Sequence, residues 1–432
     1  MIKKICLVGF SLFLFAKGEA RESELLMRYR AMALEYSHDL KAAEKNIVTS
    51  MELENAAKAD RKPKLAADAD FRYVGNPTAL SLDLPMLGQP LGFEGKNISY
   101  GASLTLMQPL YTGGRVLETI RKASHQHDLA VNRKDAVRAA LCYQTEVQYW
   151  NTVARYELVE IASDYRRAVA VLVDNIREKV EAGLAEPQDL LMAEVKLNEA
   201  SYRLLQTQSD YETGIMALNS LIGLDLTAPT VVDSNIPGLI VNDSLYACDG
   251  SDRPELKMAD DQVKIAKSQL RITDSKYKPQ LYLGANGSYS SPGYDFNSDP
   301  DPNYAVYAKL SVPLFEWGKR KDEKRASEQQ IGVAYDHLNK VRDEVALQIG
   351  NARTSLFMAQ EQVKLSENSL EKAMENEYKA TERYDEGKVS ILEVIEAQTY
   401  RQTSQVNYTR ARMAVQTYYA ELKRALNCFD CE

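Results

Sequence analysis

Residues 319–386 read KRKDEKRASEQQIGVAYDHLNKVRDEVALQIGNARTSLFMAQEQVKLSENSLEKAMENEYKATERYDE, with no proline and only Gly332 and Gly350 as glycines. At about 1.5 Å per residue, an uninterrupted helix over this stretch is on the order of 100 Å long, which no compact domain accommodates. A seven-residue spacing places Val345, Ala352, Ala359, Ser366, Ala373 and Ala380 in one column. Ile349, Leu356, Val363, Leu370 and Tyr384 fall in a second column, broken by Glu377. A column of small side chains beside a column of large ones suits closely packed, left-handedly supercoiled helices. Residues 115–181 form a second stretch of similar length, free of both proline and glycine. Its equivalent columns contain Gln148, Arg155 and Arg166, so its helicity is read from length and composition.

Working outward from these helices, the chain contains one unit written twice. Leu40-Lys41-Ala42-Ala43-Glu44 recurs as Leu256-Lys257-Met258-Ala259-Asp260, and Lys62-Pro63-Lys64-Leu65 as Lys278-Pro279-Gln280-Leu281, both at an offset of 216. After a loop 12 residues longer in the first half, the offset becomes 204. It then holds from Tyr100–Gly114 against Tyr304–Gly318 to Gly183, Asp189, Leu190 and Ala193 against Gly387, Glu393, Val394 and Ala397. An unchanged offset over that distance marks a rigid, uninterrupted element. Each unit reads helix, strand, loop, strand, very long helix, tight turn, helix. The expected divisions are a leader over 1–20, a first repeat over 21–222 with strands at about 64–74 and 99–108, and a linker over 223–252. A second repeat follows over 253–427, with strands at about 280–290 and 304–312, and then a tail over 428–432.

The strands alternate with period two. Leu65, Ala67, Ala69, Phe71 and Tyr73 are interleaved with Ala66, Asp68, Asp70 and Arg72; Tyr100, Ala102, Leu104 and Leu106 with Ser99, Gly101, Ser103 and Thr105. Leu281, Leu283, Ala285 and Tyr289 stand against Asn286 and Ser288, and Tyr304, Val306, Ala308 and Leu310 against Tyr307, Lys309 and Ser311. A barrel wall with lipid outside and water inside alternates in this way, and so does a soluble sheet with one face on a core. Four strands cannot close a barrel, since the smallest have about eight. Closure would need strands from further copies of the chain.

Lys3 and Lys4, the apolar run Ile5–Ala16 and the small residues Gly18 and Ala20 form a secretory leader pattern with a cut after Ala20. No later segment offers about 18 uninterrupted apolar residues, so any membrane crossing falls to β-strands. A net charge of −8 and a pI near 5.4 exclude nucleic acid as a partner, because phosphate neutralisation needs clustered Lys and Arg. Cys6 goes with the leader, Cys142 and Cys248 stand alone, and Cys428-x-x-Cys431 admits either a disulfide or an untidy tail; no metal site is expected. There is no GxGxxG, GxSxG or HExxH, and His125 and His127 lie on different helical faces, so neither an enzyme nor a cofactor is expected.

The repeated helix-strand-strand-helix plan and the proline-leucine at Pro109-Leu110 and Pro313-Leu314 are joined by the tip sequence Tyr384-Asp-Glu-Gly-Lys-Val-Ser-Ile-Leu-Glu-Val-Ile-Glu-Ala-Gln398. Together they resemble the TolC family of outer-membrane efflux proteins over essentially the whole mature chain. The resemblance implies a mainly α fold with a transmembrane β portion, and a homotrimer whose 12-stranded β-barrel continues as a long periplasmic α-helical barrel. It implies contact with outer-membrane lipid, with a periplasmic adaptor (membrane fusion) protein, and with an inner-membrane pump of the resistance-nodulation-division (RND) type. The function it implies is an exit duct for small toxic compounds. A type I protein-secretion duct uses the same fold, and a periplasmic coiled-coil scaffold without a pore is the reading of another class. Loops at about 74–98 and 290–303, rich in Gly, Pro, Asn, Asp or Ser, would face the cell exterior.

The resemblance also assigns roles at the tips. Glu393 and Glu396, three apart on one helical face, match the acidic residues that constrict the periplasmic mouth and draw cations. Asp189 and Tyr384 match two members of a closing latch; Val389 stands at the position of its arginine, with Lys388 beside it. Gly183 and Gly387 mark tight turns where such tips dock to the adaptor.

Overall fold

The computed structural model describes residues 23–77, 79–82, 91–239, 249–293 and 299–428. The expected leader and the end of the tail, including Cys431, lie outside them, as does Cys248. Helices α1 (Glu24–Tyr36) and α2 (His38–Ala59) lead into strand β1 (Lys64–Tyr73), the short strands β2 (Ala79–Leu82) and β3 (Leu91–Glu94), and β4 (Ile98–Tyr111). Then come α3 (Arg115–Glu181), α4 (Pro187–Ile222) and α5 (Pro254–Ser275). Strands β5 (Gln280–Ser291) and β6 (Asp301–Ser311) follow, and the chain ends in α6 (Lys319–Asp385) and α7 (Ile391–Leu426). The repeat is metrically close: α3 and α6 have 67 residues each, α4 and α7 have 36 each, and α2 and α5 have 22 each. No described helix is both long and apolar enough to cross a membrane.

The chain divides into two units, one of Met1–Lys41, Ala136–Arg253 and Glu344–Glu432, the other of Ala42–Asp135 and Pro254–Asp343. The second unit contains a four-stranded antiparallel sheet in the order β1-β4-β5-β6. Its register puts Leu65, Leu106, Ala285 and Val306 on one continuous row and Ala67, Leu104, Gly287 and Tyr304 on the next, while the row of Leu283 and Ala308 takes in Gln108, so one face is largely apolar across all four strands. The opposite face carries Asp68, Ser103, Ser288 and Asn303 in one row and Ala66, Thr105, Asn286 and Ala305 in the next, with Asn286 Nδ2 donating to Thr105 Oγ1 at 2.9 Å.

Strand ends differ from the sequence expectation at the prolines. Strand β4 runs through Pro109 to Tyr111 by a shift of register between those two residues, because proline lacks the N–H needed to continue a regular ladder. Strand β6 begins earlier than expected and includes Pro302, which an edge strand tolerates. Within the expected 74–98 loop, β2 and β3 pair as a small antiparallel ribbon that period-two reading did not separate from turn residues.

The first unit is held by helix contacts. On α6, Val345, Ile349, Ala352, Leu356, Ala359, Ala373 and Ala380 are buried, following the small and large columns. Glu377, where the large column breaks, accepts a 2.7 Å bond from Arg401 on α7. The polar positions of α3 have a corresponding reason. Gln148 Nε2 donates to Gly214 O at 3.1 Å, Arg155 Nη1 donates to Asp210 O at 2.6 Å and to Thr213 Oγ1 at 3.1 Å, and Arg166 Nε donates to Ser201 Oγ at 3.3 Å, all on α4. A Cβ at Gly214 would sit 3.0 Å from Arg155 Cδ, so a glycine there lets the two helices approach.

The linker is fastened by buried polar groups. Glu157 Oε1 accepts from the Ile236 backbone N–H at 2.6 Å, while Oε2 accepts from Arg412 Nη2 at 2.6 Å and Thr409 Oγ1 at 3.0 Å. Arg412 Nη1 donates to Ile236 O at 3.0 Å, closing the clamp. Ile236 itself joins a core of Leu26, Tyr29, Tyr149, Trp150, Val153 and Leu218. Tyr149 donates to Asp233 Oδ2 at 2.6 Å; burial, then that bond, holds its phenol well above its ordinary pKa and keeps it a donor. Nearby, buried Glu146 accepts from Arg30 at 2.5 Å and Lys423 at 2.8 Å, tying α1, α3 and α7 together. Contrary to its reading as isolated, Cys142 is disulfide-bonded.

Breaking the clamp leaves Arg412 and the Ile236 N–H buried without their acceptor. Glu157→Ala is expected to cost about 3–5 kcal/mol, lowering the melting temperature of detergent-solubilised protein and opening residues 223–239 to proteolysis. Thr409→Ala, which removes one of three bonds, should shift melting far less.

Candidate functional site at the helix tips

The two helix-helix turns are built alike. At the first, Gly183 has φ +73°, its N–H donates to Val180 O at 3.0 Å, and Leu184 N–H donates to Lys179 O at 2.7 Å. At the second, Gly387 has φ +71°, its N–H donates to Tyr384 O at 3.0 Å, and Lys388 N–H donates to Arg383 O at 2.9 Å. This paired bonding satisfies the last carbonyls of each long helix and needs a left-handed residue, which glycine adopts without Cβ strain. Pro187 then opens α4, at a position where its missing N–H costs nothing.

Below the turns lies one apolar core: Leu172, Val173 and Ile176 from α3, Ala193 from α4, and Ile391, Val394 and Ile395 from α7. Tyr384, Val180, Leu190 and Leu197 pack against it. Burial of Ile391, Val394, Ile395, Ala397 and Gln398 leaves Leu392, Glu393, Glu396 and Tyr400 as the exposed face of α7. Glu393 and Glu396 therefore share a face turned away from the core. Glu393 lies 4.0 Å from Arg383, and Glu396 forms no ion pair among the described residues.

The structure brings together two of the three candidate latch residues. Tyr384 lies within the electrostatic reach of Asp189, and burial first, then the Asp189 and Asp385 carboxylates, raise its phenol above the ordinary value. Lys388 is elsewhere: its amine pairs with Glu386 at 2.7 Å. The cation that meets Tyr384 is Lys179, on the last turn of α3, with its amine 4.0 Å from the ring centroid and 3.6 Å from Asp385 Oδ1. Sequence reading missed Lys179 because it searched for the cation beside Tyr384 on the second tip, whereas packing supplies it from the first. The only sequence signal was its place in the final turn of α3, where a cation also favours the helix terminus.

No group of three or more His, Cys, Asp or Glu residues able to hold a metal occurs among the described residues. The family profile described as "Outer membrane efflux protein" matches residues 30–224 and 251–428, once for each repeat. The solvent efflux pump outer membrane protein SrpC of Pseudomonas putida is 26% identical over 391 residues, covering 86% of this chain and 78% of SrpC. The fold is shared with the outer membrane protein VceC of Vibrio cholerae at a TM-score of 0.78, with 18% identity over 93% of this chain and 95% of that one. It is also shared with the Campylobacter jejuni CmeC outer membrane channel at 0.76, with 15% identity over 99% and 94%. A profile matched in both repeats, on a chain with paired long helices, duplicated tips and a four-stranded sheet, makes this protein a member of the outer membrane efflux protein family.

Proposed function

We propose that this protein is the outer-membrane exit duct of a tripartite efflux system, carrying small toxic compounds across the periplasm and outer membrane. The observation that carries this reading is the sheet: an apolar face continuous over four strands, with β1 and β6 each paired on one side only. Hydrocarbon cannot solvate an open strand edge, so β6 of one copy must pair with β1 of the next until the ring closes. The resemblance to the TolC family sets the number of copies at three, so that the ring has twelve strands and the assembly is a homotrimer. The long helices continue the ring as a periplasmic tube, whose tips at Gly183 and Gly387 dock to a periplasmic adaptor that links the duct to an inner-membrane pump of the RND type. SrpC, as part of a solvent efflux pump, favours efflux over type I secretion.

Closure is placed at the tips. Glu393 and Glu396 line the narrow mouth, and three copies set six carboxylates around it. Asp189 and Tyr384 hold the closed state, with Lys179 as the cation that the matching pattern would place at Val389.

Mass measurement of detergent-solubilised protein should give three chains per particle, and planar-bilayer recording should give discrete channel currents; a stable monomer without conductance defeats the duct reading. Epitope tags at residues 76 and 300 should be reached by antibody on intact cells, and tags beside Gly183 should not.

Glu393→Ala with Glu396→Ala should reduce cation preference and block by divalent and trivalent cations, with folding unchanged because exposed helical positions accept alanine. Lys179→Ala should raise resting open probability by roughly two- to thirtyfold, the equivalent of a cation–π contact of about 0.5–2 kcal/mol. Lys388→Ala should leave it near wild type. If Lys388→Ala opens the channel and Lys179→Ala does not, the latch cation is misplaced.

A further inference from the structure

The polar face of the sheet carries a cavity of about 750 Å³ at the end where the long helices begin. That volume lies within the usual range for small-molecule sites. Its strand-borne lining, including Lys64, Met107, Tyr282, Tyr307 and Lys309, comes from β1, β4, β5 and β6, and Asp60 and Arg115 border it from the neighbouring helix ends. The register sets Lys64 in the row of Gly284 and Tyr307, and Lys309 in the adjacent row opposite Tyr282.

Charge in this cavity runs against the rest of the chain. Three cations, Lys64, Arg115 and Lys309, face one carboxylate, Asp60, in a protein of net charge −8. The Lys64–Asp60 pair, at 2.9 Å with both side chains exposed, neutralises little beyond itself. Arg115 Nη2 donates to the Tyr282 oxygen at 3.1 Å, and Tyr282 in turn donates to Gln280 Oε1 at 2.8 Å, so the guanidinium is oriented by a neutral phenol and keeps its charge. Neither Arg115 nor Lys309 has a carboxylate partner among the described residues. Between these cations stands an aromatic wall. The Tyr307 ring packs against Gly284, where an added Cβ would fall 2.3 Å from the ring Cζ, so the glycine is what lets the ring lie there.

Two uncompensated cations beside two tyrosine rings match a planar organic anion, with a carboxylate or sulfonate at the cations and an aromatic body against the rings. We infer that this cavity is a binding site for aromatic organic anions inside the barrel. Its place on the export path rests on the duct reading; its ligand chemistry does not.

The test is ligand-observed ¹⁹F NMR on the full detergent-solubilised protein, with 4-(trifluoromethyl)benzoate as the probe. Its resonance should broaden saturably, and unlabelled benzoate should reverse the broadening. Arg115→Gln with Lys309→Gln, at two exposed positions, should weaken binding by roughly fivefold per cation removed, whereas Lys64→Gln, whose amine is already paired with Asp60, should weaken it far less. Uncharged 4-(trifluoromethyl)benzyl alcohol should bind distinctly more weakly than the acid. The inference is overturned if the alcohol binds as well as the acid, if the double variant binds like wild type, or if inorganic phosphate displaces the probe as effectively as benzoate. Binding is read without a pore: a trimer that conducts but leaves the probe sharp overturns this inference alone, and one that binds but never conducts overturns the duct reading alone.

Discussion

A backbone N–H or C=O facing hydrocarbon has no partner to replace water, and a four-stranded sheet leaves two edges of such groups. The remainder of the chain is arranged around that constraint. Alternation along β1, β4, β5 and β6 keeps one face largely apolar and free of charge, and the antiparallel register aligns the four alternations so that no strand puts a charge among its neighbours' leucines. A slip of one residue in any pair would turn Asp68 or Lys309 outward. Pro109 is accommodated by a local shift, so the ladder beyond it and the start of α3 keep their positions.

The two repeats share a plan but are cemented differently. On α6 the packing is that of a coiled coil, alanines beside leucine and isoleucine, and the single carboxylate in the seam is answered by Arg401. On α3 polar bonds are added to the apolar packing: glutamine and arginine side chains reach the backbone of α4 where Gly214 allows close approach. Apolar seams slide at low cost, whereas directional bonds define one register. The buried Glu157 clamp and the Glu146 pairings with Arg30 and Lys423 act in the same sense, fastening linker and first helix by groups that tolerate no displacement without stranding a charge.

Charge is distributed by task along the chain. The tips set carboxylates on the outward face of α7, one of them with a distant arginine beside it, while the cations there serve the packing of Tyr384. The end of the sheet nearest the helices concentrates lysine and arginine around phenols. In a channel, such fixed fields and the width of the openings discriminate among solutes.

Much of this was readable along the chain itself. Helix lengths followed from the absence of proline, the repeat from constant offsets, the two faces of each strand from period-two alternation, and the tip turns from Gly183 and Gly387. These are properties of a residue and its near neighbours, which local steric and solvation preferences decide. The purpose of the polar positions was not readable. Gln148, Arg155 and Glu377 look like flaws in a heptad until α4 and α7 are set beside them. Cys142 looks solitary along the chain, yet it is disulfide-bonded in the fold. Lys179 is one more helix-terminal lysine until α6 brings Tyr384 beneath it, and Lys64, Arg115 and Lys309 come from three separate elements. Periodicity records which side of its own element a residue occupies; which partner waits there is decided by long-range packing, and only the tertiary structure holds that information.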